Sequence, residues 1–225
     1  MTRRIASRAI ENSVRRLGFD RVAGVDEVGR GCLAGPVVVA AVVLDPNCQI
    51  VGVRDSKLLT PTARTRLHDE ILEKSLAYAI ASAEPTEVDR LNVHKATLEA
   101  MHRAVNRLEP LPDFVLVDGF KIPNLSLPQR GIVGGDRRCA AIAAASIVAK
   151  VTRDRQMVDE HLKDPRYGFD RHKGYPTPQH IEAVAKFGNS PIHRKSFRPR
   201  SLFDTIGAGI GFNPGEMGRG ARSDE

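Results

Sequence analysis

Apolar and polar positions along the chain follow two periods. "RVAGVDE" (21–27) is a short apolar run that ends on two adjacent acids. "GPVVVAAVVL" (35–44) is apolar on both faces, which predicts a central strand. "LAYAIASAE" (76–84), "DFVLVDG" (113–119) and "RGIVGGD" (130–136) read as a third, fourth and fifth strand. The helical period governs much of the rest. It predicts an amphipathic lead-in helix before about residue 17 and a helix opening at Thr60-Pro61, with proline at its first position. A further helix runs from Thr86 through "TEVDRLNVHKATLEAMHRAVNRL". "CAAIAAASIVAKVTRDRQMVDEHL" (139–162) is a long helix, buried at its alanine-rich start and emerging into solvent as charge accumulates. Beyond residue 162, "DPRYGFDRHKGYPTPQH" reads as a loop and "TPQHIEAVAKFG" as a short helix. From about residue 207 the chain is Gly-rich without apolar period, and a disordered tail is expected over 207–225.

Three strands in succession, then helix, strand, strand and helix, define an α/β chain. The first three strands can form an antiparallel meander, with the fourth and fifth added beside them by crossovers. The 225 residues suffice for one full-sized core. Tryptophan is absent and aromatic residues are few, so that core is aliphatic.

Charge narrows the function. Lys and Arg number 34 against 27 Asp and Glu, a net +7, and such a surface suits polyanions, nucleic acid first, although solubility alone would also account for it. Cys32, Cys48 and Cys139 stand far apart with no zinc-ligand spacing, so free buried thiols in a reducing cytoplasm are expected. The basic N-terminus has no continuous apolar stretch of a signal peptide, and no run reaches the length of a membrane span.

Acids then stand out against the strands. Asp26 and Glu27 end the first, Asp118 closes the fourth, and Asp136 follows "IVGG" at the end of the fifth. Ligands of open α/β sheets collect at the carboxyl ends of strands. Each acid alone could cap a turn or helix; together, in a basic protein, they point to a metal. Oxygen ligands without His or Cys select Mg2+ or Mn2+. Two such ions clamp a phosphodiester, while Lys and Arg hold the polyanion. Because neighbouring strand residues face opposite ways, Asp26 and Glu27 reach one site only if the strand ends or bulges there, for which Gly29 supplies the freedom.

The motifs "GVDEVGRG", "AGPVVVAAVVL", "DSKLLT", "VDG", "GGD", "AAASIVAKVTRDR" and "YGFDRHKGYPTPQH", in this order over about residues 22–197, resemble those of the bacterial ribonuclease HII family. The resemblance implies a ribonuclease H-like fold: a central five-stranded mixed sheet flanked by helices, with a small helical C-terminal part from about residue 163 and a catalytic domain over 1–206. It implies cleavage of the RNA strand of RNA–DNA hybrids and nicking 5′ of single ribonucleotides in duplex DNA, with 3′-hydroxyl and 5′-phosphate ends. Asp26, Glu27 and Asp118 match the primary metal ligands, and Asp136 completes the site or positions a second ion. Gly29, Arg30 and Gly31 match the ribonucleotide sensor, whose backbone tests for the 2′-hydroxyl. Tyr175, beside His172 and Lys173, matches a tyrosine that packs on sugar. Ser56 and Lys57 match a phosphate-contact motif, in which Asp55 reads equally as a turn former. Lys150 and Arg153 follow on the long helix, and "HRKSFRPR" (193–200) reads as a phosphate-facing patch or a solvated tail. Leu58 and Gly134 stand where the family often has lysine, which implies altered affinity or salt dependence. A cytoplasmic monomer is expected. Another ribonuclease H-like nuclease, such as a resolvase or integrase, would use similar acids without regard to a 2′-hydroxyl. A non-enzymatic nucleic-acid-binding module would leave the acids without purpose.

Overall fold

The structure is a computed structural model that describes residues 6–197. The expected tail at 207–225 and the last residues of the "HRKSFRPR" run lie outside the described residues. Five apolar segments form one mixed sheet in the order β3-β2-β1-β4-β5. Its strands are β1 (Val22–Val28), β2 (Val37–Leu44), β3 (Ser75–Ala83), β4 (Phe114–Asp118) and β5 (Gln129–Ile132). The first three are an antiparallel meander, and β4 and β5 join in parallel, as the pattern predicts.

β2 is buried at all of its eight residues because both faces of the sheet are covered. Val38, Ala40 and Val42 pack under α5 (Ala140–Lys163), together with residues of α1 (Ala9–Arg15) and α2 (Pro61–Lys74). Val37, Val39, Ala41 and Val43 pack under α3 (Pro85–Leu91) and α4 (Val93–Asn106). A third cluster of Ala34, Met157, Tyr167, Phe169 and Ala183 joins the end of α5 to α6 (Phe169–His172) and α7 (Pro178–Phe187), the small helical C-terminal part. Among the described residues no helix is long and apolar enough to cross a membrane. The thiols are free, with Cys32 and Cys139 buried and Cys48 half-buried.

Three local expectations are corrected. The helical segment from Thr86 is two helices, because Asn92 adopts φ 67° and its side chain caps α4, accepting from the His94 and Lys95 amides at 3.0 and 3.1 Å. A cap and a left-handed residue outweigh the continuous apolar period. β5 stops at Ile132, and Asp136 sits instead in a 3-10 turn (Gly135–Arg137) after Gly134 at φ 63°. The segment after residue 162 is more ordered than a loop, holding a 3-10 turn (Pro165–Tyr167) and α6.

Candidate active site

A cleft of about 430 Å³ opens at the carboxyl ends of β1 and β4. Asp26, Glu27, Asp118 and Asp136 all line it, and so do Ser56, Lys57, Lys150 and Tyr175. Ser146 of α5 also lines it, and sequence reasoning missed this residue, because a serine in an alanine-rich helix gives no local signal of polarity.

Asp26 and Glu27 reach one cleft by a route other than the expected end or bulge. β1 stays in register with β2 through both residues, Asp26 opposite Ala40 and Glu27 opposite Val39. Its pairing with β4 stops earlier, at Val25 opposite Val117. Past that point one side of β1 is open, so adjacent residues from opposite faces border the same opening. Asp26 lies on the α5 face, on the side of the cleft that Ser146 lines, and its Oδ1 accepts from the Glu27 amide at 2.8 Å. Glu27 lies on the other, with Oε1 3.1 Å from Arg30 Nη1. Asp118 ends β4, and its Oδ1 accepts from the Gly135 amide at 2.7 Å, tying β4 to the turn that holds Asp136.

The acids are held at an electrostatic cost. Burial, then the neighbouring Glu27 and Asp118 charges, push Asp26 well above the usual carboxylate range. Burial raises Glu27 too, with Arg30 opposing. Asp136 is raised by burial, then by Asp55 and Asp118. As the side chains stand, no three potential ligands converge on one point among the described residues; Glu27 is engaged by Arg30 and Asp118 by Gly135. The donor set nevertheless fits a hard divalent cation: oxygen only, and buried like charges that a cation would relieve.

The basic side of the cleft is built from two elements. Asp55 accepts from the Lys57 amide at 2.9 Å and lies 3.4 Å from Arg137, so it is the turn former of "DSK", leaving Lys57 exposed. Ser56 Oγ meets Ser146 Oγ at 3.0 Å. Lys150, one turn beyond Ser146, pairs with Asp154 at 2.7 Å and lies 5.8 Å from the Tyr175 ring centre. Burial pushes the Tyr175 hydroxyl up to about 12.

Gly29, Arg30 and Gly31 flank the cleft. Gly29 has φ +94°, and a Cβ there would meet Arg153 Nε at 2.3 Å, so only glycine fits; at Gly31 a Cβ would meet nothing within 4 Å. Lys173 is not brought in: its Nζ donates to the Asp170 carbonyl, and its own carbonyl is held by Arg153 at 2.8 Å. The "HRKSFRPR" expectation is corrected at its start. His193 and Arg194 are buried, at 5% and 2% exposure, and Arg194 donates to the carbonyls of Gly29, Arg30 and Gly35. A basic run therefore does not imply a solvated face where backbone acceptors from far in sequence cover it.

The ribonuclease HII family model matches residues 23–200. Ribonuclease H2 from Pyrococcus horikoshii OT3 is 27% identical with a TM-score of 0.69, the match covering 83% of this chain and 98% of that one. The RNase HII of the PCNA:RNase HII complex from Archaeoglobus fulgidus is 26% identical with a TM-score of 0.67, over 80% of this chain and 96% of that one. Bst-RNase HIII in complex with Mn2+ shares the fold at 22% identity and a TM-score of 0.61, over 84% of this chain and 69% of that one.

Proposed function

The chain belongs to the ribonuclease HII family, and on that premise we propose that its cleft cuts on the 5′ side of ribonucleotides, both in RNA–DNA hybrids and at single ribonucleotides embedded in duplex DNA. Membership makes it a ribonuclease H, an endoribonuclease acting on RNA–DNA hybrids. The observation that carries the finer reading is the meeting of Asp26, Glu27, Asp118 and Asp136 in one cleft edged by Lys57, Lys150 and Tyr175. Asp26, Glu27 and Asp118 would hold divalent ions, Mg2+ or Mn2+, with Asp136 completing the site or positioning a second ion. When bound, two ions supply an activated water and stabilise the leaving oxygen, giving 3′-hydroxyl and 5′-phosphate ends.

The chain's own residues do the rest. The Glu27 amide, donating to Oδ1 at 2.8 Å, orients the Asp26 carboxylate. Lys57 and Lys150 offset the phosphate charge that the acids repel. Tyr175 offers a ring to the sugar, and Gly29-Arg30-Gly31 lets backbone approach the ribose, where a 2′-hydroxyl separates RNA from DNA.

The test is a DNA duplex carrying one ribonucleotide, beside an all-DNA control, with Mg2+ or Mn2+. The expected product is a nick 5′ of the ribonucleotide, with the control intact. Equal cutting of both would favour a nuclease indifferent to the 2′-hydroxyl. Binding without cutting under either metal would leave only a nucleic-acid-binding module.

A further inference from the structure

Two guanidinium groups lie wholly inside the protein: Arg153 is 0% exposed and Arg194 is 2%. Charges buried this deeply are costly unless fully bonded. Here they donate seven hydrogen bonds, every one to a backbone carbonyl. Arg194 Nη2 holds the Gly29 carbonyl at 2.7 Å, Nη1 holds Arg30 at 2.9 Å, and Nε and Nη2 hold Gly35 at 3.0 and 2.8 Å. Arg153 holds Ala34 and Pro36, on the return of the same loop, at 3.1 and 2.9 Å.

These bonds fix the direction of the turn's other polar groups. The peptide units joining Gly29 to Arg30 and Arg30 to Gly31 are trans. In a trans unit the N–H points opposite the C=O. With both carbonyls drawn inward to Arg194, the amides of Arg30 and Gly31 point outward, and neither finds an acceptor among the described residues.

We propose that Arg194 is a positioning residue for ribonucleotide selection: it holds the Gly29 and Arg30 carbonyls inward and so aims the Arg30 and Gly31 amides at the ribose. The inference rests on the ribonucleotide-selective reading of the cleft and deepens it. The turn then presents donors, so the 2′-oxygen is read as an acceptor. Arg153 braces the other limb of the loop, so the turn is rigid before substrate arrives.

The test uses Arg194→Lys, which keeps the charge but cannot span three carbonyls. Affinities for a duplex with one ribonucleotide and for its all-DNA counterpart are measured with Ca2+ in place of Mg2+, alongside cleavage kinetics with Mg2+. The expected result is all-DNA affinity within about twofold of wild type and a ribonucleotide preference reduced about 10- to 100-fold, the loss of one or two hydrogen bonds. The Mg2+-induced rise in melting temperature stays as in wild type, because the acids are untouched. Retained preference in a folded Arg194→Lys overturns the role of Arg194 alone. A wild type without preference overturns the reading of the cleft, and this inference with it. Should the variant not fold, amide resonances of the wild type decide. Those of Arg30 and Gly31 should shift and gain protection from exchange with the ribonucleotide duplex and not with all-DNA; no response to either, or an equal response to both, overturns the proposal.

Discussion

A single methyl group at Gly24 should damage both the fold and the cleft. Gly24 lies in β1 where α5 crosses the strand. A Cβ there would stand 2.1 Å from the Ala141 carbonyl carbon, 2.3 Å from the Ile142 amide nitrogen and 2.4 Å from the Ala141 oxygen. All three are backbone atoms, so no side chain can turn aside. Ordinary contact begins near 3.4 Å, and Gly24→Ala therefore drives α5 off the sheet by about 1 Å. A gap of that size forfeits roughly a quarter to a half of each dispersion contact across it. The cost should reach the upper end of overpacking, about 3 kcal/mol. For a domain of this size that lowers the melting temperature by about 6–12 °C. The same shift carries Ser146 and Lys150 away from Asp26, and about 1 Å of misplacement costs on the order of 100-fold in rate. Thermal unfolding in metal-free buffer and kcat on a hybrid duplex measure the two effects. A melting temperature within about 2 °C of wild type and kcat within about twofold would refute the steric argument. Gly31→Ala is the control: with open space and no left-handed backbone, its stability should stay within about 0.5 kcal/mol.

Asp26→Asn should stabilise the metal-free protein at neutral pH while cutting activity by more than the roughly 100-fold that losing an outer partner of a metal site costs. The folded pKa of Asp26 is raised, so its stability contribution is lost as pH rises through that value, and the amide removes the penalty; a variant that melts lower than wild type without metal, or turns over normally, contradicts this. Mg2+ or Mn2+ should raise the wild-type melting temperature and EDTA should abolish cleavage, with a smaller thermal shift in Asp26→Asn; equal shifts would remove Asp26 from the ligand set. Burial lowers both His180 and His193 to about 4, and they share a bond of 3.0 Å between their Nε2 atoms. Depressed folded values mean that stability present above about 6.5 is lost as pH falls toward 4. His193→Asn should flatten the melting-temperature profile across that window, and an unchanged slope would count against it. Lys57→Ala should weaken hybrid binding uniformly across sequences and lower the salt slope by about one; an unchanged slope would place Lys57 away from phosphate.

Much of this was legible along the chain because its signals are local. Runs of Val and Ala name the strands, and an acid directly after such a run names the carboxyl end of a sheet. Boundaries failed where one residue outweighed a period: Asn92 splits a helix by its own φ and cap, and Gly134 ends β5 early, placing Asp136 in a turn. Ser146 was invisible because its polarity matters only against Asp26 and Ser56, far away in sequence.

The sequence by itself determined the sheet, the aliphatic core and the identities of the four acids, since each follows from neighbours a few residues apart. Tertiary structure alone decided how the acids share one cleft, by ending the β1–β4 pairing at Val25 so that both faces of β1 open together. It also decided that Lys173 turns away and that Arg194 serves the backbone of a turn 165 residues earlier. The physical reason is that a charged side chain's role is set by the acceptors that surround it, and those are assembled by packing.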